Sequence, residues 1–352
     1  MTMRKAIFYS MVLALVLLGS MLGSTPALAH AERQVGQHMT LVDDNNNIID
    51  QTGLQVHTGD EFICPDNSRY KVVEVVGNTA RCVYQGREKM PTASFDKKKQ
   101  AWIFEDAVIP VVNGRTPTVA VYHTHSDESY LPGDGTASIN GNGGIYDVGD
   151  TFAEELKRNG FNVVYSKNNH NPHDINAYSR SRRTAASLLK QNPDVVIDVH
   201  RDAVPASQYQ AQVKGQEVTK VKLVVGRTNP NMKTNLEFAK RLKTAMDQNA
   251  PGLSNGIFIG KGDFNQDLSP RSILIEVGSH TNSKMDAKQG AAIFADTLPG
   301  ILGTSGKATQ EPAAKPLNQD NQGAGTAIFI ILVVVAAAAG GYYLLNRGNN
   351  VR

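Results

Sequence analysis

Strand-like and helix-like patterns alternate along the chain from Thr116 onward. Strands are predicted at residues 118–124, 161–166, 195–200, 220–225, 256–260 and 272–277. Helices are predicted at residues 148–158, 178–191, 232–248 and 283–302. This alternation is typical of an α/β fold, so we expect residues 116–302 to form a mixed sheet flanked by helices. The Gln-rich segment 203–219 is expected to be a loop or hairpin inserted between the third and fourth strands.

A different pattern precedes this domain, with short strands and turns at residues 61–64, 70–76 and 79–85. This pattern predicts a small β module within residues 38–105. Cys64 and Cys82 fall on separate strands of the predicted module. A disulfide between them is one expectation, and two buried thiols are the other.

The first 29 residues have the pattern of a secretory signal peptide. Arg4 and Lys5 precede an apolar run that ends near Leu22, and the small-residue segment 27–29 supplies a cleavage site. We expect residues 1–29 to be removed, with an uncleaved membrane anchor as the alternative. In both cases the body of the protein is exported.

A second apolar stretch lies near the C-terminus, where residues 327–345 contain no charged side chain. As a helix this stretch would be about 29 Å long, which predicts a single transmembrane helix. Arg347 and Arg352 follow it, so the short tail 346–352 is expected in the cytoplasm. Residues 303–325 contain few large apolar side chains and are predicted to be a flexible linker. We therefore expect a single-pass protein of the cell membrane with an extracytoplasmic body.

The composition excludes several kinds of function. In a chain of 352 residues, 36 Lys and Arg against 33 Asp and Glu leave a net charge of +3. This charge is too balanced for a protein that binds nucleic acid by neutralising phosphates. Two cysteines are too few for an all-cysteine zinc site. A metal site would therefore have to use histidines and carboxylates.

Ionisable residues lie at the ends of three predicted strands. The first strand runs into His123, His125 and Glu128, the third ends at His200, and the last contains Glu276. In open α/β sheets, ligands bind beyond the carboxyl ends of the strands. An ionisable group that ends an apolar run also needs a partner or a function. We therefore expect these groups to form one site.

Two imidazoles and two carboxylates fit a catalytic zinc site that keeps one position open for water. We predict that His125, Glu128 and His200 bind Zn²⁺ and that Glu276 is the catalytic base. His123 is the alternative to His125, because residues two apart on a strand share a face. The bond cut by such a site would be an amide.

Four other polar residues have candidate roles. Arg201 is predicted to bind a substrate carboxylate, and Asp198 to orient a ligand histidine. His170 and His173 have a spacing that suits a metal, but their position in a polar loop favours solvated side chains.

These clusters resemble the stage II sporulation protein P family, within the wider class of zinc-dependent N-acetylmuramoyl-L-alanine amidases. The matching segments are YHTHSDESY (122–130), VGD (148–150), YSRSR (178–182), IDVHRDA (197–203) and IEVG (275–278). They lie within residues 117–302, so the predicted β module is outside the resemblance. The resemblance implies the sheet-and-helix fold of the amidase class. It also implies His125 and His200 as ligands and Glu276 as the catalytic carboxylate.

The resemblance further implies a peptidoglycan hydrolase that removes stem peptides from glycan strands. The implied setting is engulfment in a Gram-positive spore former, with a lytic transglycosylase as partner. A non-catalytic wall-binding scaffold and a zinc endopeptidase acting on stem-peptide cross-links are the alternative functions.

Overall fold

The computed structural model describes residues 33, 36–96, 101–104 and 115–302. The predicted signal peptide (1–29), linker (303–325), transmembrane segment (327–345) and tail (346–352) lie outside the described residues. Within the described ranges, every helix is too short or too polar to cross a membrane.

The described residues contain fifteen strands, and eleven of them form a single sheet. The strands are β1 (Met39–Val42), β2 (Ile48–Thr52), β3 (Glu61–Ile63), β4 (Ser68–Val76), β5 (Thr79–Arg87), β6 (Ala93–Asp96), β7 (Ala101–Phe104), β8 (Thr118–Tyr122), β9 (Asn162–Tyr165), β10 (Val195–Asp202), β11 (Gln210–Val213), β12 (Gln216–Thr219), β13 (Val221–Gly226), β14 (Ser254–Gly260) and β15 (Ser272–Ser279). Their order in the large sheet is β2-β1-β5-β4-β3-β14-β13-β15-β10-β8-β9, while β6 pairs with β7 and β11 with β12. Strands β9, β8, β10 and β15 run parallel, and β13 is antiparallel to β15. The sheet is therefore mixed, as the sequence predicts.

Helices cover both faces of this sheet. They are α1 (Leu131–Asp134), α2 (Ile145–Arg158), α3 (Ala177–Leu189), α4 (Met232–Asn249), α5 (Lys284–Ala295) and α6 (Pro299–Leu302). The main core joins one face to α2, α4 and α5. On the other face, α3 packs its Ala185 and Leu188 against β8 and β10.

The elements predicted for the α/β domain are confirmed, with one interruption. The helix predicted at residues 283–302 divides into α5 and α6. Pro299 begins α6, and proline both lacks an amide hydrogen and disfavours helical backbone in the residue before it. The inserted segment is a hairpin, in which Lys214 and Gly215 turn between β11 and β12 with φ values of 52° and 77°. Positive φ at both positions is typical of a two-residue type I′ turn.

Strands β1 to β5 of the predicted β module belong to the large sheet, whereas β6 and β7 form a separate pair. Strand β3 pairs with β14 in antiparallel fashion, with Ile63 opposite Ile257. Ile63 is buried in the main core, and Phe62 is buried in a second core on the opposite face. Because both faces of β3 are covered, residues 39–87 extend the sheet instead of forming a separate body.

A buried ion-pair network also ties these strands to the α/β part. Nζ of Lys222 on β13 lies 2.9 Å from a carboxylate oxygen of Asp50 and 3.3 Å from Oδ2 of Asp202. All three side chains are at most 3 % exposed. Lys222 also donates to the carbonyl oxygen of Gln51 at 2.7 Å, and the amide of Gly53 donates to Asp202 at 2.6 Å.

The expected disulfide is not formed, and Cys64 and Cys82 are both free thiols. Cys82 lies on β5 opposite Val72 of β4, and Cys64 follows β3. Since β4 lies between β3 and β5, two strand spacings of about 4.8 Å separate the cysteines, beyond the span of a disulfide. Burial raises the pKa of each thiol to about 12, consistent with the alternative expectation of packed thiols.

The two faces of the central strands differ in chemistry. Val195, Ile197 and Val199 of β10 lie in the main core, whereas Asp198 and His200 alternate onto the other face. The adjacent strand β15 repeats this alternation, so Glu276 lies on the same face as His200. The strand ends thus bring the predicted site residues together on one side of the sheet.

Candidate metal centre

The loop that follows β8 carries most of the candidate ligands. Every residue from 123 to 130 is buried. The loop is held by backbone hydrogen bonds, since the amides of Gly143 and Ile145 donate to the carbonyl oxygens of Ser126 and Glu128 at 2.9 and 3.0 Å. Adding a Cβ to Gly143 would place it against the backbone of Glu128, so this close approach requires glycine.

Two imidazoles converge on the carboxylate of Glu128. Its Oε1 lies 3.2 Å from Nδ1 of His125 and 3.4 Å from Nδ1 of His200. The ring centroids of the two histidines are 4.8 Å apart, with ring planes at 87°. Donor atoms of a tetrahedral zinc site with bonds of 2.0–2.1 Å lie about 3.3 Å apart. The separations from Glu128 therefore match those between two ligands of one ion.

Asp198, which is predicted to orient a ligand histidine, lies against His200. Its Nε2 lies 3.0 Å from Oδ1 of Asp198, which leaves Nδ1 directed at Glu128. Thr124 fixes the Asp198 carboxylate through its amide at 2.8 Å and its hydroxyl at 2.6 Å. Neither buried ring nitrogen of His200 completes a well-oriented hydrogen bond within the described part of the chain. A buried ring nitrogen that lacks a well-oriented hydrogen bond is suited to binding a metal ion.

The charges of this cluster are mutually dependent. Burial opposes ionisation of Glu128, but the positive charges of His200 and Arg201 hold the pKa of its carboxyl well below the ordinary value. Burial likewise opposes protonation of His200, but Asp198 and Glu128 raise the pKa of its imidazole well above the ordinary value. A metal ion bound by His200 would therefore displace a proton from the ring.

Glu276 lies beside His200 on the neighbouring strand. It occupies the position on β15 that pairs with His200 on the parallel strand β10, and it is 2 % exposed. Residues paired across neighbouring parallel strands with side chains on one face are in reach of each other. The structure thus brings His125, Glu128, His200 and Glu276 together, as the sequence predicts.

His123 is not part of this cluster. Its Nδ1 donates to the carbonyl oxygen of Val199 at 2.7 Å, and its Nε2 accepts from the hydroxyl of Tyr165 at 2.7 Å. Burial lowers the pKa of the ring to about 4. Because both nitrogens are engaged by protein groups, His123 is placed as a structural residue and the alternative ligand assignment is wrong.

Arg201 does not face a substrate position. It is 3 % exposed, and its guanidinium donates to the carbonyl oxygens of Ser129 and Ala137 at 3.3 and 3.1 Å. Its backbone amide donates to Oε2 of Glu128 at 2.9 Å. Arg201 therefore holds the ligand loop in place, which corrects the predicted role in binding a substrate carboxylate.

The polar loop after β9 contributes a residue that the sequence pattern did not favour. His173 stacks on His125 with ring centroids 3.8 Å apart, and its Nδ1 lies 3.0 Å from Oδ1 of Asp127. His170 is buried instead of solvated, because its nitrogens bond to the carbonyl oxygen of His123 and to the hydroxyl of Thr184. The spacing of the two histidines was a signal for a metal site, but the surrounding polar residues concealed it.

The donor set fits zinc. Imidazole nitrogens and a carboxylate oxygen are ordinary ligands of Zn²⁺, and the cluster contains no thiolate. Within the described residues, His125, Glu128 and His173 offer ligand atoms that all lie within 4.8 Å of one another. His200 adds its Nδ1 at 3.4 Å from Glu128.

Solved structures that resemble this chain include three amidases. An N-acetylmuramyl-L-alanine amidase from Mycobacterium smegmatis is 15 % identical, with 54 % of this chain and 99 % of that chain covered and a TM-score of 0.39. One from Nostoc punctiforme is 17 % identical, with the same coverage and a TM-score of 0.36. One from Clostridium difficile 630 is 15 % identical, with the same coverage and a TM-score of 0.35.

Sequence comparison identifies the family directly. The chain is 30 % identical over 204 residues to stage II sporulation protein P of Bacillus subtilis (strain 168), which covers 53 % of this chain. The match spans about half of that relative's length, 51 %. The family model for stage II sporulation protein P matches residues 63–299, so it begins in β3 and includes strands that the resemblance in the sequence motifs left out. The chain belongs to the stage II sporulation protein P family.

Proposed function

We propose that this protein is a zinc-dependent N-acetylmuramoyl-L-alanine amidase that removes stem peptides from the glycan strands of peptidoglycan. The observation that carries the proposal is the convergence of His125 and His200 on Glu128, with Glu276 on the neighbouring strand. Membership of the sporulation family supports peptidoglycan remodelling during sporulation as the setting.

Three residues would hold the ion: His125 and His200 through imidazole nitrogens and Glu128 through its carboxylate. Bound zinc lowers the pKa of a coordinated water to about 7 and polarises a carbonyl group. Asp198 and Thr124 keep the His200 ring in the orientation that directs Nδ1 toward Glu128. Arg201 fixes the opposite edge of Glu128 through its backbone amide.

Glu276 would accept the proton of the attacking water at its carboxylate and return it to the leaving amine. A general base must be within hydrogen-bond reach of the proton that it takes, and the place of Glu276 beside His200 on the same sheet face supports this role. Its burial keeps bulk water from competing for that proton.

The location of the protein is a second part of the proposal. The apolar segments at 6–22 and 327–345 support export and retention in the cell membrane, with the linker 303–325 as a tether. A tether of about 20 residues has a root-mean-square span of about 5 to 6 Å times the square root of its length, enough to reach adjacent wall. A lytic transglycosylase that cuts the glycan strand is the proposed partner.

A digest of purified peptidoglycan tests the chemistry. The purified protein should release stem peptides with a free N-terminal L-alanine, and chelation of zinc should stop the release. Mass spectrometry separates this product from that of an endopeptidase, which would cut cross-links and leave peptides on the glycan. Binding to peptidoglycan with no released fragment would instead identify a wall-binding scaffold.

A further inference from the structure

His173 lies against the predicted metal ligands although it comes from a different loop. Its ring is stacked on His125 with an angle of 17° between the planes. Together with Glu128, the two histidines present ligand atoms within 4.8 Å of one another. Nδ1 of His200 lies 3.4 Å from the same carboxylate, so imidazoles from three segments approach Glu128: the loop after β8, strand β10 and the loop before α3.

The pairing of His173 with Asp127 repeats the pairing of His200 with Asp198. Asp127 is 4 % exposed, and its other oxygen accepts from the hydroxyl of Ser138 at 2.5 Å. A histidine that binds metal through one nitrogen commonly donates the other N–H to a carboxylate, which fixes the tautomer and the ring. With Nδ1 at Asp127, the atom of His173 presented as a ligand is Nε2.

The loop that carries His173 is fixed to the ligand loop. The amide of His170 donates to the hydroxyl of Ser126 at 2.8 Å. Arg180 donates to the carbonyl oxygen of His170 at 2.5 Å and to the carboxylate of Asp174 at 2.6 Å. These bonds hold the backbone on both sides of His173, so movement of this residue is confined to its side chain.

His173 differs from the other ligands in exposure. Its side chain is 24 % exposed, whereas those of His125, Glu128 and His200 are 2 % or less. We propose that His173 is a fourth, exchangeable ligand of the ion in the proposed amidase site, on whose existence this inference rests. It occupies the fourth position of the ion in the resting protein and moves toward solvent when substrate enters. The side chains of His125, Glu128 and His200 cannot move to solvent in this way because they are buried.

Zinc affinity measured by chelator competition on the full chain tests this role. His173→Ala should weaken zinc binding by about tenfold or more, and Asp127→Asn, which removes only the orienting carboxylate, by about tenfold. His57→Ala removes an imidazole whose side chain is 36 % exposed and should leave the affinity unchanged. Circular dichroism checks that each variant is folded. A His173→Ala affinity equal to that of the wild type would overturn the proposal.

Cobalt substitution gives a readout that needs no turnover. Visible absorption of the Co²⁺ protein reports the ligand set, so the His173→Ala spectrum should differ from that of the wild type, and an unchanged spectrum would count against ligation. Exchangeability is tested separately on Co²⁺-loaded Glu276→Gln protein, which should bind soluble peptidoglycan fragments without cutting them. Saturating fragments should change its visible spectrum as His173 leaves the ion, and an unchanged spectrum would overturn the role of His173 as an exchangeable ligand.

His200→Ala separates this inference from the function on which it rests. If His200→Ala loses zinc while His173→Ala keeps it, the amidase site stands and the fourth ligand is refuted. If the wild-type protein binds no zinc at all, both proposals fall together.

Discussion

Replacing Lys222 with methionine tests whether the N-terminal strands are an integral part of the fold. The substitution preserves the length of the side chain but removes the buried cation that joins Asp50 to Asp202. Removing one partner of a buried ion pair costs about 3–5 kcal/mol, because the remaining charge is left uncompensated. Asp202 keeps its bonds from Gly53 and Tyr209, so most of the cost should come from Asp50.

The loss of folding stability caused by Lys222→Met should depend on pH. Burial raises the pKa of Asp50 to about 6 even though Lys222 opposes that shift. Without Lys222 the folded-state pKa rises further above the unfolded value of about 3.9. A carboxyl whose pKa is raised by folding favours the folded state only while it is protonated, so this contribution is lost as the pH rises through the folded-state pKa. Lys222→Met should therefore destabilise the protein more at pH 8 than at pH 5.

Urea unfolding followed by circular dichroism at both pH values provides the assay. The double variant Lys222→Met with Asp50→Asn should recover part of the loss, since the neutral amide leaves one fewer buried charge without a partner. Lys167→Met is the matched control, because Lys167 pairs with Asp150 at the surface and should contribute less than about 1 kcal/mol. A Lys222→Met protein as stable as the wild type at both pH values would refute the reasoning.

Three other predictions concern the site and its support. Glu276→Gln should retain zinc but lower stem-peptide release by about 10²–10⁴-fold, measured by metal analysis and mass spectrometry; normal turnover would remove Glu276 as the base. Gly149→Ala should destabilise the fold by about 1–2 kcal/mol in thermal unfolding, because the new methyl group would meet Tyr165 and His123. Such overpacking costs about 1–3 kcal/mol, which exceeds the gain of about 1 kcal/mol that alanine brings in helix propensity. Arg201→Met should weaken zinc binding and leave two carbonyl groups without their donor; unchanged zinc affinity and stability would contradict its positioning role.

The strand and helix pattern of the α/β part was readable from the sequence because those elements are strongly periodic. The three strand-end clusters were readable for the same reason, since β8, β10 and β15 are apolar runs that stop at ionisable residues. The break before Pro299 was missed although proline marks it. The apolar residues on both sides of the break continue one pattern, which concealed the interruption.

The sequence-based predictions that the structure corrects depend on contacts between segments far apart in the chain. His123 and His125 look equivalent in sequence, and only the partners Val199 and Tyr165 show that the first is structural. Arg201 looks like a substrate ligand until the carbonyl groups of the facing loop are seen. The role of β3 depends on the open edge of β14, about 190 residues later, which no local pattern reports.

Anomalous diffraction at the zinc edge, from crystals of the protein, tests the central claim most directly. We expect one ion bonded at about 2.0–2.2 Å to nitrogens of His125 and His200 and to an oxygen of Glu128. Zinc-supplemented crystals that hold no ion among these three side chains, or that hold it elsewhere while His125 and His200 still face Glu128, would contradict the account.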